Sequence, residues 1–337
     1  MKRIDSETAE IINAFLMESE YELPVYALEK DYHVFDAISI LASVPQNPHF
    51  RLVFCGGTCL SKAYGILPRM SEDVDFKIVP SQEGALLSKT ALRKSLSNFR
   101  AEIVEALGSG GFGPENIVKN SRDDGKYTVL TIGYESHFEK AEALRSELMI
   151  ELNFAETTTE TETREIGLLY ESLAGLANSS PLQIDCVGMR EAYAEKLVSF
   201  PRRLALHLKR QGQEGAGEWD RALVRHLYDV HQIKAKYPEI ESDLRTVAEL
   251  LLSVIEKDAR DFAYQHPDFI SDPKAELLGA MAHAKSNLEI REQYDYFVRD
   301  MVYAPIESIP SFDEAIDGFL DSLTRALPSR IILKGLG

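Results

Sequence analysis

Asp73 and Asp75 stand two residues apart in the segment DVDFKIV, residues 73–79. Its strict alternation predicts a strand, with Asp73, Asp75 and Lys77 on one face and Val74, Phe76 and Ile78 on the other. Two carboxylates pointing the same way make a hard oxygen site suited to Mg²⁺ or Mn²⁺. Just upstream, RLVFC (51–55) reads as a short buried strand ended by Gly56 and Gly57. Glycines there let backbone come close to a ligand. Thr58 to Ile66 resumes a helical pattern, with Thr58 placed to cap it. Free N–H groups and the positive end of the helix dipole would then face a phosphate. Glu151 falls on the polar face of another strand pattern and supplies a third carboxylate. Two cations held this way would activate an attacking hydroxyl and neutralise a triphosphate. Each part alone has a plain structural reading: D-x-D as a solvated strand face, Gly-Gly as a tight turn, Glu151 as a solvated carboxylate. Their ordered combination is what points to chemistry.

Several elements must position these groups. Residues 1–38 carry nine acids, Glu22 among them, and three bases. Ile11, Ile12, Phe15 and Leu16 recur at helical spacing, and a second helix is expected over about Glu29 to Ala42, before Pro45 and Pro48. Ser81 to Leu107 reads as one long helical region. GSGGFG (108–113) is flexible by composition, and no lysine–serine/threonine pair follows it as a phosphate loop requires. Residues 126–134 and 145–154 read as two strands joined by a polar turn region at 135–143. The stretch ETTTETETRE (156–165) reads as an interdomain linker or exposed hairpin, and a domain boundary is expected between about 156 and 190. Leu182 to Val187 is one more strand. From Met189 onward the pattern is mostly helical, over about 189–210, 218–235, 241–262, 273–284 and 311–325, with loop 211–217 between the first two. Pro201 should kink or restart the first of these.

The chain has 337 residues, about the length of two domains, with 45% apolar and 27% charged residues. That composition excludes global disorder. No apolar run approaches a membrane span, and MKRIDSETAE is no signal peptide. Cys55, Cys59 and Cys186 are too few for a disulfide framework, so a cytoplasmic setting is expected. The net charge of −17 counts against bulk, sequence-blind nucleic-acid binding, while leaving room for a local basic cleft. It also suits a basic protein partner.

Gly56-Gly57-Thr58, then Leu60-x-Lys62, then Arg69-x-Ser71-Glu72-Asp73-x-Asp75 resembles the AbiEii/AbiGii toxin family of nucleotidyltransferases, found in abortive infection and type IV toxin–antitoxin systems. Glu29-Lys30-Asp31-Tyr32 resembles the family's signature before the first strand. Met149 to Phe154 resembles the strand of the third acid, Ala194-Glu195-Lys196-Leu197 its Glu-Lys-Leu helix, and RHLYD (225–229) its last motif. His226 stands where the family usually has an acid. The resemblance implies a polymerase-β-like fold of α/β (α+β) class, with a mixed sheet and a mostly helical C-terminal lobe. It implies N-terminal helices at 1–40, a nucleotidyltransferase domain at 41–165 and the helical lobe at 166–337. By the same resemblance, Gly56, Gly57 and Thr58 hold nucleotide phosphates, Lys62 and Arg69 line that site, and Asp73, Asp75 and Glu151 bind metal. Lys196 contacts the triphosphate, and Asp229 is a second essential acid. The substrate would be an NTP, by resemblance a pyrimidine one. The acceptor would be the 3′ end of tRNA, and the neutralising partner a separate antitoxin.

Residues 190–236 hold ten bases and six acids, Glu214 among them, a window of +4 in a chain of −17. An anionic substrate would be steered there. Arg203 is seven residues past Lys196, so both would share a helix face over phosphates. The bland alternative is that these bases only solvate helices. The histidines lack zinc-type spacing, Cys55 reads as a buried strand residue, and Trp219 with Tyr294, Tyr296 and Phe297 reads as packing. Two other functions stay open: transfer to a protein or small molecule, and a non-catalytic nucleotide- or partner-binding role.

Overall fold

A computed structural model describes all residues except 22, 141–143, 214–216, 329–330, 332 and 334–337. Glu22, Glu214, the end of the turn region at 135–143 and the middle of loop 211–217 lie outside the described residues. The chain divides into two compact units, Met1–Val187 and Gly188–Gly337.

The first unit is a seven-stranded mixed sheet with helices. In chain order it has α1 (Ser6–Glu18), α2 (Val25–Ala42), β1 (Phe50–Cys55), α3 (Gly56–Lys62), β2 (Asp73–Pro80), α4 (Gln82–Ala85) and α5 (Lys89–Leu107). Then come β3 (Ile117–Arg122), β4 (Tyr127–Ile132), β5 (Leu148–Phe154), β6 (Glu162–Ile166), α6 (Leu169–Leu173) and β7 (Leu182–Cys186). The strand order is β3-β4-β5-β2-β1-β7-β6. β2–β5 and β1–β7 run parallel, and the other neighbouring pairs run antiparallel.

Alternation divides the sheet into two chemically distinct faces. Val74, Phe76, Ile78, Ile150 and Leu152 are buried on one. On that side Phe99 of α5 meets Phe50 with ring centroids 5.7 Å apart. Asp73, Asp75 and Lys77 share the other face with their in-register partners Met149, Glu151 and Asn153.

Several elements differ from expectation. The region 81–107 is two helices, because Ser81 and Ser88 each cap a new start, accepting from Gly84 N and Ala91 N. β3 was not expected. It is an edge strand with five of six residues exposed, so it lacks an alternating apolar signature. The acidic stretch 156–165 is not wholly linker, since its end forms the edge strand β6 against β7.

The second unit is helical: α7 (Met189–Arg210), α8 (Arg225–Lys236), α9 (Glu239–Ser242), α10 (Leu244–Asp261), α11 (Pro267–Ser271), α12 (Pro273–Ser286), α13 (Leu288–Met301) and α14 (Phe312–Ala326). α7 continues through Pro201 as one helix. Phe200 and Leu204 on either side of the proline are fully buried, so packing holds the helix across the lost hydrogen bond. α13 was not expected; Asn287 caps it, accepting from Ile290 N. Among the described residues no helix is long and apolar enough to cross a membrane, and the three cysteines are free thiols.

Candidate active site

The turn after β1 is built around the second aspartate. Cys55 pairs with Asp75 across β1 and β2, and Gly56 follows with φ +74°. A Cβ on Gly56 would stand 2.7 Å from Asp75 Cγ and overlap Oδ2. Only glycine lets that carboxylate lie on the turn. A Cβ on Gly57 would stand 2.5 Å from Arg69 Nη2. The Arg69 guanidinium is thus packed beneath the turn; the residue is 2% exposed, and Nη1 donates to the Met70 carbonyl at 2.9 Å. Thr58 is fully buried. Its hydroxyl donates to the Asp73 carbonyl and lies 2.8 Å from Ser71 Oγ. Thr58 is not the cap of α3, whose start at Cys55 has no side-chain cap. Thr58 and Arg69 are turned into the protein, where they fasten the glycine turn to the start of β2.

Lys62 is also turned inward. Its ammonium lies 2.6 Å from Asp31 Oδ1 and donates to the Gly167 carbonyl at 3.1 Å. This gives the Glu29-Lys30-Asp31 run on α2 a structural meaning, since all three residues are buried. Glu29 accepts from Ser136 Oγ (2.7 Å) and the backbone N–H of His137 (2.6 Å). Lys30 pairs with Glu72 at 2.9 Å and donates to the carbonyls of Arg145 and Glu147. Asp31 accepts from Leu169 N at 2.8 Å as well as binding Lys62. Burial pushes the Lys30 ammonium down from its usual range, with Glu72 opposing that shift. Buried charges survive when each has an opposite charge and further hydrogen bonds. Here they tie α2 to the segments flanking β2 and β5.

The three carboxylates are close in the fold. Asp75 and Glu151 are direct partners on parallel β2 and β5, with Asp73 two residues along the same face. Asp73 Oδ1 is 2.5 Å from Arg145 Nη1. Tyr127 OH donates to Glu151 Oε2 at 2.8 Å. Burial, reinforced by Glu151, pushes the Tyr127 phenol well above its usual range, so it stays a donor at neutral pH. The donor chemistry, all carboxylate oxygen on one face, fits a divalent cation. Among the described residues, however, no three such side chains are gathered closely enough to hold a metal as they stand.

In the second unit, Lys196 Nζ lies 2.7 Å from Asp229 Oδ2. Both residues are buried, Asp229 completely. Asp229 therefore acts on Lys196, as its counter-ion. Arg203 is exposed and pairs with Asp220 at 3.1 Å, away from that pair. The basic window at 190–236 is offset by acids from later helices. Arg202 binds Asp258 (2.6 Å), and Lys209 binds Asp268 (2.5 Å) and Glu276 (2.8 Å). Lys234 lies 3.4 Å from Glu241. Three of the ten bases in the window thus pair with acids that lie outside it.

Arg145 and Tyr127 were missed in the sequence. Arg145 sits just before β5 beyond a polar turn, and Tyr127 opens β4. Neither position carries a spacing signal, because each meets its acid only through strand pairing.

No curated protein matches the chain significantly. Among solved structures it resembles MenT4, a nucleotidyltransferase toxin from Mycobacterium tuberculosis H37Rv, at 17% identity and a TM-score of 0.47, covering 95% of this chain and 99% of that one. The family model for the nucleotidyl transferase AbiEii toxin of type IV toxin–antitoxin systems matches residues 39–318. That match spans the glycine turn, all three sheet carboxylates and the Lys196–Asp229 pair, so the chain belongs to the AbiEii family and is a nucleotidyltransferase toxin of the type IV class.

Proposed function

We propose that the chain transfers a nucleoside monophosphate from an NTP to the 3′ end of a tRNA, with Asp73, Asp75 and Glu151 as the catalytic carboxylates. One observation carries this reading: Asp75 and Glu151 are in register beside Asp73, on the sheet face that adjoins the Gly56–Gly57 turn. Asp73, Asp75 and Glu151 would hold Mg²⁺ or Mn²⁺, which when bound would offset the charge of the triphosphate. Glu151 takes the proton from the acceptor hydroxyl. The hydroxyl oxygen bonds to the α-phosphorus, the α–β bridging bond breaks, and pyrophosphate leaves. Gly56 and Gly57 offer backbone without side chains where the nucleotide would approach, while Thr58, Arg69 and Lys62 keep that turn rigid. Lys196, held by Asp229, is the cation we assign to the triphosphate. A nucleotide added to a tRNA 3′ end blocks aminoacylation, and the type IV class supplies an antitoxin as the neutralising partner.

The test uses purified protein, Mg²⁺ and total cellular RNA, with each α-labelled NTP in turn. Label in a tRNA-sized band that disappears in Asp73→Ala and Lys196→Ala is the expected result. Label that enters protein or small molecules and no RNA overturns the tRNA assignment. The engagement of Arg202, Lys209 and Lys234 with acids supports that second reading, an acceptor smaller than RNA.

A further inference from the structure

We infer that Arg145 competes with the divalent cation for Asp73 and so sets the metal affinity of the site. The inference rests on the reading of Asp73 as a metal ligand. Its observation is the ion pair itself: Arg145 Nη1 stands 2.5 Å from Asp73 Oδ1. The same guanidinium nitrogen lies 3.0 Å from Met149 Sδ, and Met149 is the direct strand partner of Asp73. The guanidinium thus covers the Asp73 end of the carboxylate row.

The main chain of the arginine is anchored. Its backbone N–H donates to Glu72 Oε2 at 2.9 Å. Its carbonyl accepts from Lys30 Nζ at 2.5 Å and Tyr26 OH at 3.0 Å. Glu72 and Lys30 are themselves paired and almost fully buried. Glu72 directly precedes Asp73, so one buried network fixes both the main chain of the arginine and that of the aspartate. The side chains are different, with Arg145 40% and Asp73 25% exposed. An ion pair with this much solvent around it is weak enough for a divalent cation to compete with.

A carboxylate oxygen bonded to a guanidinium is a poorer ligand, and a bound divalent cation repels the guanidinium in turn. Exposed ion pairs contribute up to about 1 kcal/mol, which is about fivefold in a binding constant. The Glu29-Lys30-Asp31 run of α2 then has a role at the site, because Lys30 aims the arginine.

The experiment titrates Mn²⁺ into the nucleotide-free full chain and follows free Mn²⁺ by electron paramagnetic resonance. The proteins are wild type, Arg145→Ala, Arg145→Gln, Arg145→Lys and Asp73→Asn, each checked for folding by circular dichroism. We expect about fivefold tighter Mn²⁺ binding in Arg145→Ala and Arg145→Gln, near wild-type affinity in Arg145→Lys, and loss in Asp73→Asn. Unchanged or weaker binding in both neutral variants, with loss in Asp73→Asn, overturns the competition and leaves the metal site standing. No Mn²⁺ bound by wild type or either neutral variant overturns the metal reading and the competition together.

Discussion

Gly56→Ala separates backbone strain from damage to the catalytic carboxylate. Gly56 has φ +74°, where an L-residue costs roughly 1–2 kcal/mol. The added methyl would also stand 2.7 Å from Asp75 Cγ. Ordinary contact begins near 3.4 Å, so Cγ must retreat by about 0.7 Å and Oδ2 by more. Misplacing a reacting group by about 1 Å costs about 10²-fold in rate. Gly65→Ala is the matched control, since Gly65 has φ +64° and none of the described heavy atoms lies within 4 Å of a Cβ there. Both variants should lose about 1–2 kcal/mol in urea unfolding. Turnover of α-labelled NTP, measured at saturating Mg²⁺, should fall about 10²-fold in Gly56→Ala only. Equal turnover in the two variants would refute the claim that Gly56 exists to admit the Asp75 carboxylate.

Two further outcomes follow from buried charge. Lys30→Met removes the counter-ion of Glu72 inside a network almost sealed from solvent, and should cost about 3–5 kcal/mol in urea unfolding; a loss below about 1 kcal/mol would show that the network bears little of the fold. His33 is fully buried beside Tyr134, with ring centroids 4.3 Å apart, and burial lowers its pKa to about 4. Below about pH 6.5 the unfolded chain takes up a proton at this residue that the folded chain refuses until about pH 4, so stability is lost as pH falls through that window. The loss should reach about 3 kcal/mol between pH 7 and 4, and His33→Phe should flatten the slope; an identical slope in the variant would sink this account.

Much of the candidate site is legible in one dimension because strands have a period of two. The pattern DVDFKIV is enough to put Asp73 and Asp75 on a common face, and the pattern around Glu151 does the same for β5. A glycine pair ending a strand is likewise visible, and the ordered motifs resemble the family whose model matches residues 39–318. The helical character of most of the second unit follows from apolar spacing, α13 excepted. β3 shows no alternation because it lies on an edge with both faces mostly solvated.

The sequence by itself determined which residues are acids, which face each takes within its own strand, and where glycine interrupts the chain. Those properties depend on neighbours a few residues away. Only the tertiary structure decided that Asp75 meets Glu151, through the parallel register of β2 and β5. It alone turned Thr58, Lys62 and Arg69 inward, made Lys196 and Asp229 partners, and set Arg145 on Asp73. It also supplied the acids from α10, α11 and α12 that pair with Arg202 and Lys209 of α7. Charge and hydrogen bonding act over a few ångströms of space whatever the separation along the chain. A linear window therefore counts charges correctly and still misses which of them remain available.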